Sequence, residues 1–153
     1  MPTLLEIFIA ILPEVFVFIT GAYILANRKF NFKRIILIWL IASTITYFVK
    51  LLPIFPGSNI LFSILVMAIL LVTIEKMEVM KAIRSILPLF IIRLVTEALN
   101  ILVLVAIFHV DLVIFADDPV KKTLAFIPSL LLFISIILTI YMLKRRSMKV
   151  GTK

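Results

Sequence analysis

The 153-residue sequence has no cysteine and very little glycine, histidine or charge. The lack of cysteine excludes disulfides, thiolate metal sites and thiol nucleophiles, and a single histidine excludes a cluster of imidazole ligands. Only 16% of the residues are charged, against about 25% in soluble domains, whereas 64% are apolar. With a mean hydropathy of +1.28, a globule of this size cannot hide its apolar surface from water. The composition therefore predicts an integral membrane protein.

Long apolar segments between charged clusters predict a single all-α domain over residues 1–153 with five transmembrane helices. A helix that crosses a hydrocarbon core of about 30 Å needs about 20 residues. The predicted spans cover residues 4–26, 35–52, 59–74, 86–108 and 124–143, followed by a basic tail at 144–153. Pro53, Pro56 and Gly57 predict a turn before the third span, which is the shortest.

Lysine and arginine are distributed unevenly among the connections. The first connection, the third connection and the tail hold 12 of the 16 basic residues. Because positively charged loops stay in the cytoplasm, we expect the N-terminus outside the cell and the C-terminus in the cytoplasm. The chain is therefore expected to be a multi-pass protein of the cell membrane, which in a bacterium is the cytoplasmic membrane. The same bias explains the pI near 10, so the bilayer is the expected partner and nucleic acid is not.

Ionisable and polar side chains inside the spans form the candidate site. Each charged group at mid-membrane costs at least about 2.5 kcal/mol on insertion scales, so it needs a partner, a water-filled cavity or a function. Arg93, Glu97 and Asn100 lie on one face of the fourth span because they are spaced i, i+4 and i+7. Glu14 reaches a similar depth in the first span, and Tyr47 offers a polar group in the second.

Two interpretations of this polar cluster are open. In the functional one, the five residues face one another across the bundle and form a ligand pocket, an ion path or a two-state polar switch. In the structural one, Arg93 pairs with Glu97 or Glu14 only to fix the register of the helices.

Residues 75–84 alternate charged and apolar side chains. Met80, Ile83 and Leu87 are spaced to form one apolar side. This pattern predicts a short helix at the cytoplasmic interface.

Motifs of common enzyme classes are absent from the sequence, which has no GxSxG, HExxH, SxxK or P-loop pattern. All three aspartates lie in the predicted outer loop 110–122, whereas an intramembrane aspartyl protease needs two in facing helices. We therefore expect no enzyme, no metal site and no cofactor.

Several short stretches carry a resemblance when they are taken together: Leu12–Glu14, the basic stretch Asn27–Leu37, Tyr47–Pro53, Ile127–Ser129 and Arg145–Arg146. The chain resembles the membrane input regions of bacterial peptide-sensing histidine kinases with a GHKL-type ATPase domain, the accessory-gene-regulator receptor class. The resemblance implies that Leu12–Glu14 and Tyr47–Pro53 contribute to the input core and that Arg145 and Arg146 lead toward a cytosolic output.

The sequence departs from these kinases after Lys153, since it has no dimerisation helix, phosphorylatable histidine or ATP-binding domain. The resemblance therefore implies a truncated sensor domain, or an accessory subunit that acts on a histidine kinase or another membrane protein.

Three functions remain open at this point. The first is a non-catalytic sensor or accessory signalling module that binds a small peptide or lipid-like ligand and relays a shift in helix packing. The second is a small transporter or channel subunit with a polar path through the bundle, completed by homo-oligomerisation. The third is a structural subunit of a larger membrane complex.

Overall fold

The computed structural model describes residues 7–51, 58–107, 109 and 119–150, and every regular element within these ranges is helical. A π-helical turn at Ile7–Ile11 leads directly into the first α-helix. The α-helices are α1 Leu12–Leu25, α2 Phe32–Leu51, α3 Ser58–Thr73, α4 Val79–Ala106 and α5 Pro119–Val150. The predicted all-α fold is therefore confirmed for these residues. The predicted start of the first span at residue 4 and the turn at 53–57 lie outside them, as do residues 110–118 of the predicted outer loop 110–122. Residues 119–122 of that predicted loop are instead the first turn of α5.

Within the part of the chain that the structure describes, four helical stretches are long and apolar enough to cross a membrane: Ile7–Leu25, Phe32–Val49, Val79–Ala106 and Thr123–Ser147. Much of their apolar surface points away from the bundle, as at Leu40, Leu102 and Leu131, which are each about half exposed or more. Such a surface needs lipid around it. The fold is thus that of a multi-pass membrane protein with four candidate spans, where the sequence predicts five. The third predicted span is a helix of 16 residues, about 24 Å long at 1.5 Å per residue.

Two helices extend well beyond the predicted apolar segments. α4 begins at Val79 rather than near Ile86, so residues 79–84 are its first turns and the predicted separate interfacial helix is wrong. α5 exceeds the predicted range 124–143 at both ends. Hydropathy marks only the part of a helix that lies in lipid, whereas Lys and Arg are good helix formers and let the helix continue beyond it.

α1 occupies the centre of the bundle. It packs against α2, α4 and α5, while α3 fills the space between α2 and α4. Its inward side chains, among them Ile19 and Tyr23, are fully buried. Gly21 allows α4 to approach closely, because a Cβ atom at this position would lie 2.8 Å from Leu89 Cδ2.

Candidate functional site

A buried ion pair joins α1 to α4. Pro13 stands in the first turn of α1 and Glu14 follows it, one turn beyond the π-helical segment. Arg93 lies midway along α4, and its Nε donates a hydrogen bond of 2.6 Å to Glu14 Oε1. The Arg93 side chain is only 4% exposed and that of Glu14 is 22% exposed. A pair in this environment is screened weakly, so each charge depends strongly on the other.

The remaining Arg93 contacts come from α4 itself and from α5. Nη1 lies 3.4 Å from Ser129 Oγ and 3.9 Å from Glu97 Oε2. The Phe126 ring covers the guanidinium, with Cζ 4.4 Å from the ring centroid, within the range of a cation–π interaction. Three helices therefore hold this single guanidinium, and Glu14 rather than Glu97 is its closest acid.

The two other residues of the predicted site, Asn100 and Tyr47, have partners other than the ion pair. Asn100 lies on the same face of α4 as Arg93, and its Nδ2 donates a 2.7 Å hydrogen bond to the Ala125 carbonyl of α5. Asn100 thus joins α4 to α5 about two turns along the helix from Arg93. Tyr47 is half-buried on α2, where its ring meets the edge of Phe48. Of the polar side chains of α2, Thr46 rather than Tyr47 is among the described residues that line the neighbouring cavity.

A cavity of about 210 Å³ opens against this ion pair and is bounded by all five α-helices. Glu14, Arg93 and Glu97 form its charged wall, and Thr46 and Ser63 add hydroxyl groups. The rest of the lining is apolar or aromatic. Pockets that combine an apolar lining with a few placed polar groups are typical of small-molecule binding sites.

Sequence reasoning missed the contributions of α3 and α5 to this site. Ser129 and Phe126 contact the guanidinium, and Met67 lines the cavity from α3. Apolar residues at helical spacing carry no signal that separates a cavity wall from a lipid-facing surface. In the sequence, Ser129 appears only in the stretch Ile127–Ser129, one of those that carry the resemblance to kinase input regions.

A second polar cluster joins α1 to the connection between α3 and α4. Glu75 is buried, its Oε2 accepts a 2.7 Å hydrogen bond from the Tyr23 hydroxyl, and the same oxygen lies 3.6 Å from Arg34 Nη1. Arg28 Nη2 reaches the Lys76 carbonyl at 3.5 Å. The first and third connections, both basic, therefore meet at the same end of the bundle.

The basic tail joins this end through Lys144. Helix α1 ends in a Schellman arrangement, with Asn27 at φ 52° and the Arg28 amide donating to the Tyr23 carbonyl. Lys144 Nζ of α5 donates to the carbonyls of Ile24 and Leu25 and to Asn27 Oδ1, at 3.0–3.2 Å. This ammonium is a donor to the Leu25 carbonyl and a second donor to the Ile24 carbonyl, which also accepts from the Asn27 amide at 3.3 Å. It also opposes the negative end of the helix dipole.

Among the residues that the structure describes, no group of three or more His, Cys, Asp or Glu residues is placed to hold a metal ion. The chain matches no known protein family, and no curated protein or solved structure is significantly similar to it.

Proposed function

We propose that this chain is a non-catalytic sensor or accessory signalling module of the cell membrane that binds a small peptide or lipid-like ligand between its helices. The observation that carries the proposal is the cavity of about 210 Å³ with the Glu14–Arg93 pair in its wall. A ligand there touches every helix of the bundle. Its binding therefore biases the packing of all of them.

A layer of apolar side chains next to the ion pair favours ligand binding over the conduction of ions or solutes. On the side toward the basic end, the interior is filled by the buried residues Ile19, Leu89, Phe133 and Ile137. Phe18 packs on Phe133 with ring centroids 5.2 Å apart. A polar path for ions or solutes needs polar groups or water through this layer, and these side chains provide neither.

The contacts at the basic end support a relay. Lys144 ties α5 to the end of α1, and Glu75 ties α1 and α2 to the connection before α4. A shift of α1 against α4 at the cavity thus changes the same end that carries most of the positive charge. This end is the natural output surface if it faces the cytosol, and the resemblance to kinase input regions makes a histidine kinase the first partner to test.

We further propose five crossings, with the N-terminus outside and the basic end in the cytoplasm. α2 begins and α3 ends at the basic end, since Arg34 pairs with Glu75. α3 must therefore run back from the opposite end, and a helix of about 24 Å can cross where the bilayer thins or flanking segments complete the span.

Thermal unfolding of the purified protein in dodecyl maltoside tests the binding function. The probes are a secreted-peptide fraction from the source organism and a lipid extract of its membranes. Binding at the cavity raises Tm, and above the Kd the shift grows with the logarithm of the free ligand concentration. Thr46→Trp, whose indole ring occupies most of the cavity, abolishes the shift, whereas Thr44→Trp on the exposed side of the same helix keeps it.

Proteoliposome flux separates the alternatives. A flux of protons, alkali ions or small solutes that Glu97→Gln abolishes, together with no Tm shift from either probe, overturns the sensor proposal in favour of a transporter. Copurification of a stoichiometric companion chain, with neither a shift nor a flux, identifies a structural subunit instead.

A further inference from the structure

The polar and the apolar residues that line the cavity lie at different levels along the bundle. On each of α1, α2 and α3, a polar lining residue lies four residues from an apolar one, in the pairs Glu14 and Phe18, Thr46 and Ala42, and Ser63 and Met67. Consecutive helices run in opposite directions, and in all three pairs the apolar residue is the one nearer the basic end. On each helix, the polar residue therefore lies about 6 Å farther from the basic end than its apolar partner, at 1.5 Å per residue.

Helix α4 has the same gradient. Its apolar residues on the cavity and Glu97 are spaced to form one face: Ile86, Phe90, Leu94 and Glu97. Because α4 begins at the basic end, Glu97 is the one that lies farthest from it. The Glu97 side chain is 43% exposed, whereas that of Arg93 is only 4% exposed. A molecule in the cavity can therefore contact Glu97.

The polar level of the cavity carries an excess negative charge. Arg93 is paired closely with Glu14, at 2.6 Å, and lies 3.9 Å from Glu97. With all three groups ionised, the charges sum to one negative charge. Within the part of the chain that the structure describes, Arg93 is the only charged partner of Glu97. An ionised carboxylate inside a bilayer needs a partner, and the one available is already held by Glu14.

This charge selects the headgroup of a ligand. A monovalent cation brings the polar level to neutrality, whereas an anion adds to the excess negative charge and an uncharged group leaves it uncompensated. A primary ammonium has three N–H donors. The carboxylate of Glu97 and the hydroxyl oxygens of Thr46 and Ser63, all in the cavity lining, are acceptors for such donors.

The apolar level fits a short chain. Phe18, Met67 and Phe90 are among the residues that surround it. An apolar cavity of about 150 Å³ holds a benzene molecule. The larger space of about 210 Å³ accordingly takes about eight non-hydrogen atoms, or an ammonium with a chain of about seven carbon atoms.

We infer that the cavity binds a monovalent cationic amphiphile, a primary ammonium on a short apolar chain, with the ammonium beside Glu97 and the chain directed toward the basic end. This assignment rests on the proposed binding function and specifies its ligand. The same chemistry is found at the N-terminus of an apolar peptide and in a lipid-like amine, so the test includes a compound of each kind.

Photo-crosslinking of the whole chain in dodecyl maltoside, an uncharged detergent, tests this assignment. The probe is heptylamine with a diazirine near the end of its chain, and adducts are mapped by mass spectrometry. We expect adducts at the apolar level, on Phe18, Met67 and Phe90. Adducts on Phe126, beside the ion pair, in place of these three would overturn the proposed direction of the chain.

Competition identifies the headgroup. Excess heptylamine or leucinamide is expected to remove the adducts, whereas heptanol and heptanoate at the same concentration do not. Leucinamide has the ammonium and the side chain of a peptide N-terminus, while heptylamine has the chain of a lipid-like amine. The stronger of these two competitors therefore identifies the source of the natural ligand.

Two matched variants test the role of Glu97. Glu97→Gln keeps the shape of the side chain and removes its charge, so half-maximal labelling is expected to need about tenfold more probe, the equivalent of one hydrogen bond to a charged group. Glu78→Gln removes the same charge from an exposed position just before α4 and is expected to leave labelling unchanged. If Glu97→Gln does not fold, the order of the competitors on the unchanged protein decides alone.

The two proposals fail in different ways. If no compound removes adducts from cavity residues, the cavity is not a binding site and the proposed function fails. If heptanol or heptanoate competes as well as heptylamine, or if Glu97→Gln is labelled at the same probe concentration as the unchanged protein, the cavity binds ligands and the ammonium assignment is wrong.

Discussion

At the scale of single residues, the energetics of the site depend on Arg93. Its guanidinium is almost completely buried and is held from three sides by an acid, a hydroxyl and an aromatic ring. A buried ion pair adds little net stability over apolar residues of the same volume, because both charges lose their hydration. Removing one partner is far more costly, because the other charge stays buried without compensation.

The two acids near Arg93 are therefore expected to differ when each is neutralised. Glu14→Gln removes the carboxylate at 2.6 Å and is expected to destabilise the protein by about 3 kcal/mol, the lower range for a broken buried pair, since the amide still accepts a hydrogen bond. Glu97→Gln removes a carboxylate at 3.9 Å whose side chain is 43% exposed, and costs less than about 1 kcal/mol. Thermal and denaturant unfolding in detergent measures both.

Glu97→Gln is the matched control for Glu14→Gln, because both changes remove one negative charge from the same cluster. Equal losses of stability would show that the two acids stabilise Arg93 equally, which would contradict the shorter distance of Arg93 to Glu14 than to Glu97. A larger loss for Glu97→Gln would mean that the helix-internal pair is the dominant one.

At the scale of helices, the sequence predicts which segments are helical, because apolar runs of this length have few alternatives in lipid. It does not predict their ends or their rotation. Residues 79–84 continue into α4, although their charge pattern matches a separate interfacial helix equally well. Thr46, not Tyr47, faces the cavity because the packing of α2 against α1 and α3 fixes its rotation.

The partner of Arg93 shows the same limit. Helical spacing predicts Glu97, four residues away, while Glu14 lies 79 residues away in the sequence and depends on how α1 packs against α4. From the sequence, either acid could be the partner of Arg93, and only the packing of α1 against α4 decides between them.

The contact between α5 and the end of α1 gives a prediction at this scale. Lys144→Met keeps an apolar side chain but removes the ammonium from the carbonyls of Ile24 and Leu25. We expect a loss of about 1–2 kcal/mol, the usual range for a partly exposed charged hydrogen bond. Hydrogen exchange of the Asn27 and Arg28 amides, which close the helix end, is expected to become faster.

Arg145→Met is the control for this change, since Arg145 is the exposed neighbour of Lys144. It removes the same charge from the same tail and is expected to leave exchange at the end of α1 unchanged. If both variants speed up exchange equally, the effect comes from the net charge of the tail, and Lys144 does not act as a cap.

At the scale of the whole molecule, the charged groups lie at different levels along the axis of the bundle. Both basic connections and the start of the tail meet at one end through Glu75 and Lys144. The ion pair lies farther along, beyond a layer of buried apolar side chains that includes Leu89 and Phe133. Since positive loops are retained in the cytoplasm, this arrangement has one favoured orientation in the membrane.

The orientation and the number of crossings can be measured cleanly because the chain has no cysteine. Single variants place a thiol at the basic end (Asn31→Cys), at the start of α3 (Ser58→Cys) and beyond α4 (His109→Cys). On intact bacterial cells, a membrane-impermeant maleimide is expected to label the second and third variants, and the first only after permeabilisation. Labelling of Asn31→Cys on intact cells reverses the orientation. If Ser58→Cys reacts on intact cells but His109→Cys reacts only after permeabilisation, α3 does not cross and the bundle has four spans. The unsubstituted chain gives the background, since it has no thiol to react.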